Sequence, residues 1–304
     1  MLTDQKQLNP RQVLSVETLK FLNEGSNRKG LLQLIAHLTV MGISGYLWGS
    51  NMEKGWLVFP FLVVYGFSLA SMFAALHECV HRTAFANNRL NDAIAWLAGL
   101  LSLYNSTYYR HYHKWHHRYT QIPDKDPELE DPKPSNWREY LLQLSGFPWW
   151  WGKLQTYWKL TTGQIDNYPF LKEKSGKEAI LSARLQILAY LSAIALTSIF
   201  GHPEAFFLYW LLPLAVGQPL LRFILLAEHT GCTNDDNPLT NTRTTLTLFP
   251  IRLLMWNMPY HAEHHLYPSL PFHALPKAHQ QLSPYLERVE TGYVQVNRNI
   301  VSSF

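Results

Sequence analysis

Four apolar stretches constrain the fold of this chain more than any other feature of its sequence. They cover residues 31–50, 56–76, 180–200 and 205–227, and each carries almost no charge. An α-helix needs ~20 apolar residues to cross the hydrocarbon core of a bilayer. Because only residues 51–55 and 201–204 separate the members of each pair, each pair can only return tightly across the membrane. The pattern predicts an all-α integral membrane protein with four transmembrane helices in two hairpins.

The rest of the chain is polar enough to form a large cap outside the membrane. The mean hydropathy is −0.13 and charged residues make up 16% of the chain, so apolar spans must alternate with long polar segments. We predict one membrane domain over residues 1–304, with a helical cap formed by residues 77–179 and 228–304. The net charge of +4 forms no block of like charge, which gives no indication of nucleic-acid binding.

The distribution of basic residues predicts the orientation in the membrane. The two turns opposite the cap contain a single Lys or Arg, Lys54. By the positive-inside rule, the cap, both termini and the candidate site are expected on the cytoplasmic side of a plasma or thylakoid membrane. The two cysteines, Cys79 and Cys232, offer no disulfide framework, which agrees with a reducing compartment.

Residues 1–30 are polar and lack the pattern of a cleavable signal peptide. Asn9-Pro10 predicts a helix start. The apolar side of a short interfacial helix is predicted at Leu14, Leu19, Phe21 and Leu22.

Three shorter segments follow between the two predicted hairpins. Residues 93–104 are apolar but too short to span a bilayer, which predicts a re-entrant or interfacial helix with Asn91 and Asp92 as capping side chains. Residues 121–134 are rich in proline and predict a surface loop. Residues 147–158 are dense in Trp and Tyr, which is typical of a membrane interface.

Three histidine clusters lie in the predicted cap. They read His77-Glu-Cys-Val-His81, His113-Lys-Trp-His116-His117 and His261-Ala-Glu-His264-His265. Residues three and four apart share a helix face, so each cluster is expected to present its imidazoles on one stripe. Neutral imidazole is a good ligand for Fe, Zn and Cu. Eight histidines exceed one tetrahedral site but suit two metal ions, and His229, directly after the fourth span, is a ninth candidate.

Three acidic residues adjoin these histidines in the sequence: Glu78, Glu228 and Glu263. We expect them to orient the ligating imidazoles from the second shell, as carboxylates commonly do at metal sites. His37 and His202 lie too far away in the predicted topology to contribute. Structural roles are expected for His111, His273 and His279.

Two other classes of function compete with a di-metal centre. His77-Glu78-x-x-His81 matches the H-E-x-x-H pattern of zinc metalloproteases, in which the Glu is a general base. That interpretation leaves both His-x-x-His-His clusters unexplained. A non-catalytic metal-binding or transport protein would place histidines inside the spans along a pathway. Nearly all of these histidines lie outside the spans, which disfavours it.

The order of the histidine motifs and the two hairpins resemble the membrane fatty acid desaturase superfamily. LAEHTGC (226–232) and NMPYHAEHHLYPSLPFHALP (257–276) are similar to its bacterial and cyanobacterial acyl desaturase branch. The resemblance extends from about residue 31 to about residue 280, and it implies a four-span helical fold with a cytosolic cap that holds a non-haem di-iron centre. Carried over by position, the implied ligands are His77, His81, His113, His116, His117, His229, His261, His264 and His265.

Two positions depart from relatives in that superfamily. In animal acyl-CoA desaturases an Asn four residues before the position of His229 assists through a water, and here Leu225 stands at that position. Glu78 stands where many desaturases have Asp. The resemblance therefore supports all nine predicted ligands but not the residues at these two neighbouring positions.

The resemblance implies O₂-dependent attack on an unactivated C–H bond, so the expected function is an acyl-lipid desaturase that introduces a C=C bond. Such chemistry needs a redox-active metal, which excludes zinc alone. The chain has no CxxCH haem motif, GxGxxG fingerprint or cluster-binding cysteines, so electrons are expected from a ferredoxin or cytochrome b5-type donor. The acyl chain is expected in an apolar tunnel. A lipid, fatty acid or carotenoid hydroxylase or ketolase shares the first hydrogen abstraction and stays open as the alternative.

Overall fold

The computed structural model describes residues 13–130 and 133–304, and this part of the chain is mostly helical. Its α-helices are α1 (Val16–Leu22), α2 (Asn27–Gly49), α3 (Phe59–Ala70), α4 (Met72–His81), α5 (Asn88–Ser102), α6 (Ser106–Tyr119), α7 (Trp137–Leu144), α8 (Phe147–Thr162), α9 (Glu173–Ile199), α10 (Leu212–His229), α11 (Phe249–Leu254), α12 (His261–Leu266), α13 (Leu275–Leu282) and α14 (Tyr293–Val301). Two short strands, β1 (Thr244–Leu246) and β2 (Val289–Thr291), pair in parallel with Thr244 opposite Val289. The predicted all-α class is confirmed.

Four helical segments are long and apolar enough to cross a membrane, as predicted. They are Asn27–Gly49, Met52–His81, Glu173–Ile199 and Phe207–His229. The second continues beyond the apolar stretch through His77 and His81, and the fourth continues to His229. Hydropathy marks only the lipid-embedded part of a helix, whereas backbone hydrogen bonding carries the helix on into the cap. His77, His81 and His229 therefore stand on helical extensions of the spans.

The second and fourth spans cross at two glycines. A Cβ atom on Gly217 would overlap the carbonyl oxygen of Gly66, and a Cβ atom on Gly66 would overlap that of Pro213. Small residues let membrane helices approach closely enough for such backbone contact. This crossing fixes α3 against α10, and so fixes the histidines at the ends of the two spans relative to each other.

His37, inside the first span, belongs to a buried polar contact rather than to a metal site. Its Nε2 lies 2.8 Å from the carbonyl oxygen of Ser68, and its Nδ1 accepts a hydrogen bond of 3.1 Å from the indole of Trp256. Because the indole can only donate, Nε2 carries the proton and donates to Ser68. The contact ties the first span to the second and to the chain before α12.

The segment between the hairpins differs in detail from the sequence-based prediction. The helix predicted over residues 93–104 begins earlier, as α5, and its cap is Asn87, whose side chain accepts from the backbone of Arg89 at 2.8 Å. Asn91 is instead buried within the helix and donates to the carbonyl of Phe85 at 2.7 Å. The predicted capping roles of Asn91 and Asp92 were therefore wrong, since both lie inside α5 and Asp92 instead pairs with Arg82 at 3.0 Å.

The predicted loop over residues 121–134 is not wholly on the surface. It contains a short 3₁₀ turn, Pro127–Leu129, and Asp126 before this turn is buried. Residues 131 and 132 lie outside the described part of the chain. The aromatic run over residues 147–158 lies in α8, whose Trp151 and Trp158 side chains are exposed, in agreement with an interfacial position.

The N-terminal helix packs on the cap. The predicted start at Asn9-Pro10 lies outside the described residues. Leu14 and Leu22 are buried in one apolar cluster with Leu270 and Leu275, whereas Phe21 on the same short helix stays exposed. Part of the predicted interfacial face is therefore used to cover α12 and α13.

Candidate metal centre

Four helices bring all nine candidate histidines to one place at the end of the spans. α4 ends the second span and carries two of them, α6 carries three, α10 ends the fourth span with one, and α12 carries three. Side chains four residues apart on a helix stack on one face. Seven of the histidines are buried, and His81 and His117 are half-buried.

Five imidazoles form what we call the first group. One ligand atom from each member lies within 4.8 Å of the others, and the members are His77, His81, His113, His117 and His264. His264 is central, since its Nε2 lies 2.9 Å from Nε2 of His77 and 3.1 Å from Nε2 of His117. Nε2 of His117 also lies 3.0 Å from Nε2 of His113.

Four imidazoles form what we call the second group, which consists of His116, His229, His261 and His265. His116, His229 and His265 present ligand atoms within 4.8 Å of one another. Nε2 of His261 joins them, at 3.2 Å from Nε2 of His229 and 3.1 Å from Nε2 of His265.

The two His-x-x-His-His clusters are each divided between the groups. On α6, His113 and His117 belong to the first group and His116 to the second, whereas on α12 His264 belongs to the first group and His265 to the second. The expectation of one stripe per cluster was therefore wrong. A helix turns by ~100° per residue, so neighbouring residues diverge while residues four apart converge.

The spacing of the ring nitrogens fits imidazoles that converge on metal ions. Each nitrogen of a neutral imidazole carries either one proton or one lone pair. Nε2 of His264 can therefore form a hydrogen bond with only one of its two imidazole neighbours. Imidazoles bound to one metal at ~2.1 Å would place their nitrogens about 3 Å apart. A donor set made of neutral imidazoles also suits iron.

The surroundings of most of these imidazoles favour the neutral form. Burial, reinforced by the neighbouring imidazoles, lowers the pKa values of five of them well below the ordinary histidine range: His113, His117, His261, His264 and His265. A depressed pKa keeps the lone pair of the imidazole free at neutral pH, which metal binding requires.

His116 differs because two carboxylates approach it. Its Nδ1 donates to Oδ1 of buried Asp126 at 2.8 Å, and its Nε2 lies 3.6 Å from Oε2 of Glu128. Burial lowers the pKa of His116, but the charges of Glu128 and Asp126 outweigh burial and raise it. Asp126 also accepts from the backbone N–H of Gln121 at 2.8 Å, so its position is fixed from two sides. No sequence spacing pointed to Asp126, because the chain reverses between it and α6.

Three other imidazoles have a partner at Nδ1. That of His229 lies 3.1 Å from the carbonyl oxygen of Asn241, and that of His265 lies 3.2 Å from Oγ1 of Thr120. Nδ1 of His77 lies 3.3 Å from the hydroxyl of Tyr109. Such contacts fix the ring orientation and leave Nε2 to face the group.

Of the three carboxylates predicted to orient imidazoles, only Glu228 contacts a group. Its Oε2 lies 3.5 Å from Nε2 of His261. Glu78 instead accepts from Oγ1 of Thr83 at 2.9 Å and from the backbone N–H of Phe272 at 3.2 Å.

Glu263 contacts the imidazole of His279 and the hydroxyl of Thr244, so it too binds outside the groups. The predicted role in orienting a ligating imidazole was therefore wrong for Glu78 and Glu263. Neighbouring residues on a helix point in different directions, so adjacency in sequence does not bring their side chains together.

One cavity of about 430 Å³ reaches both groups from the side of α6, α8 and α10. Five candidate ligands line its inner end: His77, His113, His116, His229 and His261. Its other walls are aromatic and charged, with Tyr104, Tyr109, Trp149, Lys153 and Arg222 among them. This cavity is therefore not the apolar tunnel that was expected, because Tyr, Trp and Lys side chains of α6 and α8 line it.

Comparison with known proteins gives a consistent result. The sequence model of the family described as fatty acid desaturase matches residues 54–297, which include all nine histidines. The dihydrorhizobitoxine desaturase of Bradyrhizobium elkanii is 25% identical, over 79% of this chain and 71% of the relative. An sn-1 oleoyl-lipid 12-desaturase of Picosynechococcus is 25% identical, over 75% and 69%. A sphingolipid delta(4)-desaturase of Gallus gallus is 24% identical, over 85% and 76%.

Proposed function

Because the chain belongs to the fatty acid desaturase family and is thus a membrane oxidoreductase, we propose that it is an O₂-dependent di-iron desaturase that introduces a C=C bond into the acyl chain of a lipid. The observation that carries this proposal is the convergence of nine imidazoles, in two adjacent groups, at the ends of two membrane spans. Two metal ions with imidazole ligands account for every histidine in the three clusters.

The proposed ligands follow the two groups. One iron is assigned to the first group, and the other to the second group. Bound iron supplies the capacity to activate O₂ for hydrogen abstraction from an unactivated C–H bond. Glu228 is assigned to the second group as a neighbour of His261, to which it lies at 3.5 Å.

Other side chains are proposed to orient a ligand and to shape the cavity. Asp126 holds the Nδ1 proton of His116 and so keeps Nε2 free to bind. Tyr109 and Phe73 line the cavity beside His77, where their rings exclude water and limit the space available to the target methylene. Holding that methylene in one position decides which bond reacts.

The zinc protease interpretation has little support from this geometry. His77 and His81 are two of five imidazoles in the first group. Glu78, which would be the general base, points to Thr83 and the backbone of Phe272 instead. A base must lie within hydrogen-bond reach of the metal-bound water.

Electrons are proposed to come from a ferredoxin or cytochrome b5-type donor that docks on the cap. The cap, both termini and the centre are proposed to lie in the cytoplasm, since Lys54 is the single Lys or Arg in the turns opposite the cap. The membrane is proposed to be a plasma or thylakoid membrane, and the substrate an acyl lipid within it.

The test combines metal content with lipid profiling. Wild type and His261→Ala are purified in detergent, and lipids of the expressing host are analysed by mass spectrometry. We expect about two irons per chain in wild type and lipids that have lost two hydrogens. In the variant we expect loss of the iron of the second group and loss of the desaturated lipids. His202→Ala is the matched control, because His202 is exposed in the turn opposite the cap.

Two results would redirect the proposal. Lipids that have gained one oxygen instead of losing two hydrogens would identify a hydroxylase. Zinc without iron, retained in His261→Ala, would exclude a di-iron oxidant.

A further inference from the structure

We propose that Arg222 and Lys153 bind an anionic group of the substrate, a carboxylate or a phosphate, at the end of the cavity away from the histidines. This inference rests on the proposed function, since it names a chemical feature of the molecule that the same cavity receives. It is carried by the positions of the two cations and by the hydroxyl between them.

Arg222 is a cation inside a membrane span that faces the cavity. It lies on α10 two turns before His229, on the same face and about 10 Å along the helix axis. Ionisable residues within spans are costly and usually face a site or a water-filled cavity. Arg222 makes no ion pair within the described part of the chain, and its buried Nε has no hydrogen-bond partner there.

Lys153 approaches the same point from α8. Its Nζ lies 3.4 Å from the ring centroid of Tyr104, while Nη2 of Arg222 lies 3.4 Å from the hydroxyl of that tyrosine. The indole of Trp149 also donates to this hydroxyl, at 2.9 Å. Because the hydroxyl oxygen accepts from both neighbours, its own proton is left to be donated. Two cations and one O–H donor therefore surround one point on the cavity wall, which suits a bidentate anion.

The acidic side chains that contact the histidines lie at the opposite end. Oε2 of Glu228 is 3.5 Å from His261, and Oε2 of Glu128 is 3.6 Å from His116. Glu130 also lines the cavity, but it is exposed at the rim. The cations on the cavity wall thus attract an anion to Tyr104.

One aromatic layer separates the two ends. The ring of Phe73 lies 4.7 Å from that of Tyr104 and 6.2 Å from that of His77. A substrate held by its anion at Arg222 would direct its reacting carbon past Phe73 towards the histidines. The aromatic and charged walls fit the polar end of an amphiphile better than the middle of a long aliphatic chain.

The test measures binding of three ten-carbon probes by equilibrium dialysis against detergent-purified protein at pH 8. The probes are decanoate, decyl phosphate and decanol, which differ only in the head group. Wild type is expected to bind at least one anion ~10-fold to ~100-fold more tightly than decanol, from the strength of charged hydrogen bonds. Arg222→Gln and Lys153→Gln should each remove most of that difference without changing the affinity for decanol. Preference for decanoate identifies a carboxylate, and preference for decyl phosphate identifies a phosphate.

Arg184→Gln is the matched control for loss of a positive charge. Arg184 is exposed on α9, where it donates to the carbonyl of Thr161 at 3.1 Å, and it does not line the cavity. The proposal is overturned if decanol binds as tightly as both anions, or if Arg184→Gln lowers anion binding as much as Arg222→Gln. Iron is measured on every sample. Anion preference in protein that binds no iron would overturn the proposed function and leave this site standing.

Discussion

The first and second groups are built from the same side chain but are held in place differently. In the first group, Nδ1 of His113, His117 and His264 has no hydrogen-bond partner among the described residues. In the second, three of the four imidazoles have one: Asp126 for His116, the carbonyl of Asn241 for His229, and Thr120 for His265. Both carboxylates that approach an Nε2 atom of a candidate ligand, Glu128 and Glu228, also lie at the second group.

The difference shows two ways to position a ligand. The first group depends on helix register, because His77 and His81 share α4 and His113 and His117 share α6, each pair at a spacing of four residues. The second collects single residues from several elements and fixes them by hydrogen bonds to loops. Three carboxyl groups lie at the second group, so we expect the two proposed irons to differ in how tightly they are held.

The largest effect is expected from His264→Ala. This change removes the imidazole whose Nε2 contacts both His77 and His117, and so the centre of the first group. We expect loss of activity and loss of the iron of the first group, measured by metal analysis and by Mössbauer spectroscopy of ⁵⁷Fe-loaded protein. His111→Ala, on α6 but outside both groups, should keep both irons. Full iron and activity in His264→Ala would contradict the assignment.

Asp126→Asn is expected to have the next largest effect. It removes the charge that holds the Nδ1 proton of His116, and loss of such a partner typically costs 10- to 100-fold in metal affinity. The measurement is iron retention against a graded chelator, with one of the two Mössbauer components released early. Simultaneous release of both components would show that the groups are not independently held.

Tyr109→Phe should weaken the first group only slightly. Among the described residues, its hydroxyl is the one Nδ1 partner of His77, at 3.3 Å, and a neutral hydrogen bond contributes ~1 kcal/mol. We expect a loss in iron affinity of less than about tenfold, measured by the same chelator titration. A loss as large as that in Asp126→Asn would mean that the first group depends on its surroundings as much as the second.

Glu78→Gln should have the smallest effect on metal. Glu78 contacts Thr83 and the backbone of Phe272 rather than an imidazole, so its role is to tie α4 to the chain after α12. The amide of Gln keeps one oxygen that can accept these bonds, and a neutral hydrogen bond contributes ~1 kcal/mol, so we expect a small decrease in the unfolding temperature with both irons retained. Differential scanning fluorimetry and metal analysis on the same sample check this. Iron loss without a change in unfolding temperature would place Glu78 in the centre itself.

The sequence alone determined the spans, the histidines that meet, and the class of chemistry. Twenty apolar residues with almost no charge have few alternatives to a membrane helix. The spacing of four residues places His77 with His81, His113 with His117 and His261 with His265, and each of these pairs does share a group. These features are local, since they depend on helix period and on hydropathy.

Only the tertiary structure decided how the groups are divided and what surrounds them. His116 and His117 are neighbours in sequence, yet they face different groups because the helix rotates between them and a different helix lies on each side. Asp126 reaches His116 only because the loop after α6 folds back, and Arg222 meets Lys153 only because side chains of α10 and α8 reach the same tyrosine, Tyr104. Such contacts depend on helix crossing, for example at Gly66 and Gly217, which no local pattern specifies.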